Sequence, residues 1–180
     1  MTHHTIETSS FSHFLFVSPT SAPLWLVIRL YVGWEWLSAG WEKVIDPAWF
    51  GSGAGASLNG FIQGALAKTG GAHPSVQGWY AAFLQGAVAP NLVAWSNFVA
   101  VGELLVGIAL ILGLLTGVAA FFGAFMNLNF MLAGTVSTNP ILLVLALPLI
   151  LAWRIAGYLG VDYYALPFLR RAFNSRELRR

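Results

Sequence analysis

The sequence predicts an all-α polytopic membrane protein: a four-transmembrane-helix bundle with short amphipathic interfacial helices between helices one and two. Two observations carry this class. Apolar residues make up 57% of the 180-residue chain and charged residues only 9%, far below the roughly 25% charged share of a soluble domain. Four separate stretches are apolar over about the 17–25 residues a helix needs to cross a bilayer. The eight Trp, within a 14% aromatic share, suit a chain with two membrane–water interfaces to anchor.

The spans are expected over about 23–41, 92–115, 117–133 and 141–160. Backbone groups surrounded by lipid must bond within their own segment, so each span must be helix. Spans two and three are separated by little more than Leu115-Thr116-Gly117, which forces an antiparallel hairpin. The stretch from Gly134 to Pro140 is rich in turn residues, with Pro140 opening span four and Pro148 expected to kink it. The long connection, Glu42 to Asn91, carries two amphipathic segments. Leu58, Phe61, Ile62, Ala65 and Leu66 fall at helical spacing, with Ser57 as the expected cap and Gly70-Gly71 as the stop. Val76, Trp79, Tyr80, Phe83 and Ala87 form the second apolar face. Both segments are too short to cross, so they lie at the interface or fold over the bundle as a lid.

Residues 1–22 are expected to be an N-terminal tail, 23–168 the membrane domain and 169–180 a basic cytoplasmic tail. Five of the nine Lys and Arg (Arg170, Arg171, Arg176, Arg179 and Arg180) crowd into that last segment. A basic run just after a hydrophobic span anchors on the cytoplasmic leaflet rather than on nucleic acid. With an even number of spans, both termini are then cytoplasmic in the cell membrane and the 42–91 connection faces outward. The first 22 residues carry no Lys or Arg, which argues against a cleaved signal with a basic start.

Ionisable groups at membrane depth are costly and point to function. Arg29 and Glu35 fall in span one, Glu103 in span two and Arg154 in span four. Arg29, Gly33, Trp36, Gly40 and Lys43 step by four and three residues and share one helix face. Span two adds Glu103 and Gly107, and span three adds Gly123 and Asn127, with Asn129 nearby. Arg29 or Arg154 is expected to reach Glu103, either as interhelical glue or as part of a ligand site. Glu35 is expected to point elsewhere, toward a partner chain or the rim of an outer cavity.

Some chemistry is excluded. The chain has no cysteine, and His3, His4, His13 and His73 all lie outside the spans. An iron–sulfur cluster, thiol exchange and a bis-histidine membrane haem therefore have no ligands, and no covalent or metal cofactor is expected. Redox work would use a diffusible organic carrier such as a lipoquinone. Such a site needs an apolar slot, an aromatic ring and a few hydrogen-bonding groups. The candidates are Arg29, Gly33, Trp36, Lys43, Glu103, Asn127 and Arg154; no catalytic residue stands out.

Four segments, RLYVGWEWLSAGWEK (29–43), GELLVGIALILGLLT (102–116), GTVSTNP (134–140) and AWRIAGYLGVDYYALP (152–167), together resemble the DoxX family over roughly residues 23–168. The resemblance implies a four-helix fold with both termini inside. Its DoxD relatives imply a membrane subunit of a thiosulfate:quinone oxidoreductase, acting with a second subunit. The alternative is a non-catalytic accessory or scaffold subunit of a larger respiratory or redox complex, and a small transporter is a third. The expected partners are the lipid bilayer and either a partner subunit or further copies of the chain.

Overall fold

A computed structural model describes residues 9–168; the basic segment expected at 169–180, and residues 1–8, lie outside it. The described residues are helical, with no strand. The elements are α1 (Ser10–Phe16), α2 (Ala22–Ile45), α3 (Ala56–Leu66), α4 (Gly78–Phe83), α5 (Leu92–Leu112), α6 (Thr116–Leu132), α7 (Asn139–Leu151) and α8 (Trp153–Ala156). A further helical stretch opens at Asp162.

Helices α2 and α5 form the central antiparallel pair, and glycines set their register. A methyl on Gly40 would fall on the backbone of Leu104, and one on Gly107 on the backbone of Leu37. Gly33 faces Leu110 and Ile111, where a Cβ would lie 3.0 Å from Leu110 Cβ. Without these side chains the two axes come close enough for van der Waals attraction to hold them. Residues 33, 37 and 40 therefore sit level with 110–111, 107 and 104, and that alignment decides which charges can meet.

The α5–α6 hairpin turns at Gly113-Leu114-Leu115, slightly earlier than expected, and Thr116 already belongs to α6. Gly113 (φ 65°) and Leu115 (φ 47°) are both left-handed. The Asp162 carboxylate accepts hydrogen bonds from the Leu115 and Thr116 amides at 2.6 and 2.8 Å. It thus caps α6 from far along the chain and holds a leucine where glycine is normally favoured. The fourth expected span is interrupted. Pro148 withholds the amide that would bond Val144, and α7 stops three residues later at Leu151. Ala152 then turns the chain into α8.

Other expectations are corrected. Residues 10–16, expected as part of a tail, form α1, tied down where Trp25 Nε1 donates to the Leu15 carbonyl at 2.7 Å. Helix α3 is capped by left-handed Gly55 (φ 96°) and not by Ser57, which lies inside it, and it ends at Leu66 before Gly70. The α4 segment does not stand apart. It runs through a π-helical stretch, Leu84–Val88, and a 3-10 turn into α5, making one 35-residue helical run from Gly78 to Leu112. Its buried face is Val76, Tyr80, Ala81, Leu84 and Val88, while Trp79 and Phe83 face out. Val76 and Tyr80 are buried as expected, Trp79 and Phe83 are not, and the wider π-helical turn then carries Val88 inward.

Leu58, Ile62 and Ala65 of α3 are buried as expected and join Val76, Tyr80, Leu84, Val88 and Ala133 in a second apolar cluster. That cluster folds the connection over one end of the bundle. Tyr80 Oη donates to the Asn129 carbonyl at 2.9 Å and Lys68 Nζ to the Gly134 carbonyl at 2.8 Å.

The distribution of polarity is inverted relative to a soluble protein. Arg29, Glu103, Thr116, Asn127 and Asp162 are buried, while Val27, Trp34, Leu105, Phe121, Phe125, Val144 and Leu151 are each more than half exposed. By length and composition, Gly78–Leu112 alone is a helix able to cross a membrane; Ser10–Phe16 and Pro19–Ile45, bent by 65°, make a second when taken together. Helices α6 and α7 are apolar but shorter, at 17 and 13 residues.

Candidate functional site

The α2 face that the sequence singles out is the buried one: Arg29, Gly33, Trp36 and Gly40 face the interior, and Lys43 is partly buried at its end. The glycine register then separates its two charges. Lys43 lies one turn beyond Gly40, level with the start of the Glu103 turn, and its Nζ meets Glu103 Oε2 at 2.6 Å. Arg29 is fourteen residues earlier, about 21 Å along the axis, and comes level with Gly113. The expected Arg29–Glu103 pair is therefore replaced by Lys43–Glu103.

Arg29 belongs instead to the hairpin end. Its Nη2 donates to the Leu159 carbonyl at 2.8 Å, and its Nη1 lies against the Cα positions of Gly113 and Gly160, where any Cβ would collide with it. The Asp162 carboxylate supplies the nearby opposite charge. The 159–162 strap closes over this site, with the Val161 and Asp162 amides donating to the Leu112 and Gly113 carbonyls at 3.0 and 2.8 Å. Arg154 is not part of either group. It is exposed on α8 and its guanidinium stacks over Trp153, 4.9 Å from the ring centroid. Both expected partners of Glu103 on the hairpin side thus point elsewhere.

The Lys43–Glu103 pair forms one wall of a cavity of about 320 Å3. Glu35, Trp36 and Ala39 of α2 and Phe130 of α6 continue the lining; Trp49 and Phe61 of the folded-over connection cover it; Thr135, Ser137, Thr138 and Asn139 bring polar groups to its edge. Glu103 is 1% exposed, whereas the Lys43 side chain keeps 20% exposure, so the ammonium marks the solvent side. Lys43 Nζ also lies 5.3 Å from the Trp49 ring centroid, within cation–π range. Trp36 and Phe61 flank Phe130, with ring centroids 6.4 and 6.0 Å from it. Trp36 Nε1 is buried without a hydrogen-bond partner and faces the gap left by Gly123, whose Cβ would lie 2.9 Å away.

Gly33 lies outside the cavity lining and serves close packing. Asn127 is buried between Gly123 and Phe130 on α6, with neither amide atom hydrogen-bonded. Asn129 does the interhelical bonding, through Tyr80. Sequence reasoning gave no role to Asp162 and took the 134–140 stretch for a turn alone. A carboxylate beside the glycines of YLGVD was the available signal for the first, and the clustered hydroxyls of GTVSTN for the second. Glu35 was placed at the rim of an outer cavity or at a partner, and it lines the cavity.

The arrangement offers an aromatic-lined cavity with one cation, two carboxylates and edge hydroxyls from Thr135, Ser137 and Thr138. Residues 24–178 match the family described as "TQO small subunit DoxD". No curated protein and no solved structure matches the chain. The resemblance to DoxX therefore narrows to a related family: the chain belongs to DoxD, the small subunit of thiosulfate:quinone oxidoreductase-type membrane enzymes.

Proposed function

We propose that this chain is the membrane-embedded subunit of a quinone-linked oxidoreductase of the thiosulfate:quinone type, that it acts with a partner subunit, and that the Lys43–Glu103 cavity receives the head group of a lipoquinone. The observation that carries the reading is a buried ion pair set in an aromatic-lined cavity, inside a bundle whose outer surface is apolar. Burying such a pair costs more than an apolar pair of the same shape, and that cost is understandable where the charges have a ligand to act on.

The residues present fit the group. Trp36, Phe61 and Phe130 provide faces for a planar ring, and Lys43 Nζ is a donor for a ring carbonyl. A bound quinone would supply the two-electron chemistry, for which the described side chains hold no metal cluster of their own. Lys43 orients the acceptor oxygen, Glu103 holds Lys43 in place, and Trp49 and Phe61 cover the ring.

In this reading α2, α5, α6 and the α7–α8 segment cross the cell membrane, with both termini cytoplasmic and the 46–91 connection outside. The exposed Phe, Leu and Val on the outer faces of these helices support it, as does the clustering of basic residues after span four. An impermeant thiol reagent on intact cells should label Lys68→Cys and Thr138→Cys and spare Ser175→Cys. The reverse pattern would invert the topology.

The functional test uses the chain purified with its partner subunit. Quinone-analogue binding should weaken about tenfold or more in Lys43→Ala and in Glu103→Gln, consistent with loss of a charge-assisted hydrogen bond. Unchanged affinity in both would remove the site. Stable co-purification without quinone binding by the wild type would instead make the chain an accessory subunit.

A further inference from the structure

Glu35 is left without a role by the description so far. It lies on α2 two turns from Lys43, with Ala39 between them, so Glu35, Ala39 and Lys43 form an i, i+4, i+8 row along the cavity wall. The row places Glu35 about 12 Å deeper than Lys43 along the helix axis. Glu35 is partly buried and makes no ion pair or side-chain hydrogen bond among the described residues. Its outward neighbours Tyr31 and Trp34 are exposed aromatics, so its surroundings are the apolar belt. Among the described residues nothing holds it as Lys43 holds Glu103, so its carboxyl group lines the cavity unpaired.

The two cavity carboxylates are thus in different situations. Glu103 is pinned by Lys43. Glu35 is free to donate. No other ionisable side chain faces it: α3 contributes Phe61, α6 Phe130, and α7 Asn139 and Leu142, leaving Lys43 on α2 and Glu103 on α5 as the charged groups of the cavity.

We infer that Glu35 is a proton donor to the bound quinone, working at the deep end of the cavity while the Lys43–Glu103 pair serves the other ring oxygen. The inference rests on the quinone reading above. Reduction of a quinone to the hydroquinone takes up two electrons and two protons. The electrons come from the sulfur-compound donor by way of the partner subunit. As they arrive, the Glu35 O–H bond breaks and an O–H bond forms at the deep ring oxygen. The second proton comes from solvent at the Lys43–Glu103 end, the end nearer water, and the Glu35 carboxylate is reprotonated from solvent at the cavity edge beside Thr135 and Ser137. A positioned acid of this kind contributes about 10²–10⁴-fold to a rate.

The test is steady-state quinone reduction by the complex with its partner, read beside quinone-analogue affinity and thermal unfolding. Glu35→Gln keeps the shape and removes the proton. It should bind the analogue within about twofold of wild type and lose roughly 100-fold in kcat, and the wild-type pH profile should lose one limb. Glu35→Asp, one methylene shorter, should recover part of kcat with the limb restored. If Glu35→Gln retains kcat and pH profile, Glu35 is not the donor, and the quinone site survives. If Glu35→Gln fails to fold, Glu35→Asp decides: reduced kcat with a displaced pH limb supports the role, and wild-type behaviour in both overturns it. Failure of the underlying reading shows differently, as no quinone binding by the wild-type complex.

Discussion

The two ends of the α2–α5 pair carry the same kind of group and treat it in opposite ways. At the hairpin end, Arg29 is enclosed. Glycines at 113 and 160 press on its guanidinium, Leu159 accepts from it and Asp162 balances it. The cavity of about 400 Å3 at this end, lined by Thr116, Phe121, Trp153 and Asp162, does not reach Arg29. At the other end, Lys43 and Glu103 meet at one short contact beside a cavity of about 320 Å3, with aromatic rings and a free carboxylate around it. A buried charge in this fold is therefore not by itself a site. The surrounding side chains differ: Arg29 Nη1 is closed in by the backbone at Gly113 and Gly160, whereas Lys43 and Glu103 border a cavity walled by Trp36, Trp49, Phe61 and Phe130.

The comparison is broken most severely from the sealed end. Asp162→Ala removes the counter-charge and the α6 cap together and leaves Arg29 buried without an anion. Unfolding in detergent should show a loss of about 3 kcal/mol, because the Leu115 and Thr116 amides lose their acceptor and Arg29 loses a nearby opposite charge. Arg29→Leu should cost clearly less, because Asp162 retains the Leu115 and Thr116 amides. Equal losses would mean the charge balance, not the cap, dominates.

Next in size is Gly113→Ala. The new methyl falls on Arg29 Nη1 and the residue must keep φ 65°, so a loss of about 2 kcal/mol is expected from the left-handed backbone and the displaced side chain. Quinone-analogue affinity should not move, which separates the two ends functionally.

At the open end, Lys43→Met should lower stability by less than about 2 kcal/mol, because the cavity lets water reach Glu103, while analogue affinity drops. A stability loss as large as that of Asp162→Ala would show that the pair is structural glue after all. The smallest effect belongs to the lid. Tyr80→Phe removes the hydrogen bond to Asn129 and should cost about 1 kcal/mol, visible as faster amide exchange over residues 56–88 with that of α2 and α5 unchanged.

Much of this was legible from residue order. Arg29, Gly33, Trp36, Gly40 and Lys43 marked the inner face of α2, and Leu58, Ile62 and Ala65 marked the inner face of α3, because helical period alone assigns azimuth. The charge pairing was not legible. Arg29 and Glu103 looked matched in sign and both lay within spans, but period says nothing about how far one helix slides along another. In the 78–88 segment Tyr80 was placed inward correctly, but Trp79 and Phe83 turn outward and Val88, past the π-helical turn, takes the inner position expected of Ala87. Asp162 was missed because a cap supplied from across the fold leaves no local pattern.

By itself, the sequence determined that the chain is helical, which face of α2 turns inward and which face of α3 is buried. These follow from composition and periodicity, which are properties of single segments. Only the tertiary structure decided that Lys43, not Arg29, holds Glu103, that Arg29 is sealed by Gly113, Gly160 and Asp162, and that Glu35 shares a cavity with Glu103. These depend on the axial offset between helices, and that offset is set by where glycine gaps on one backbone meet the other, a fit that no single segment contains.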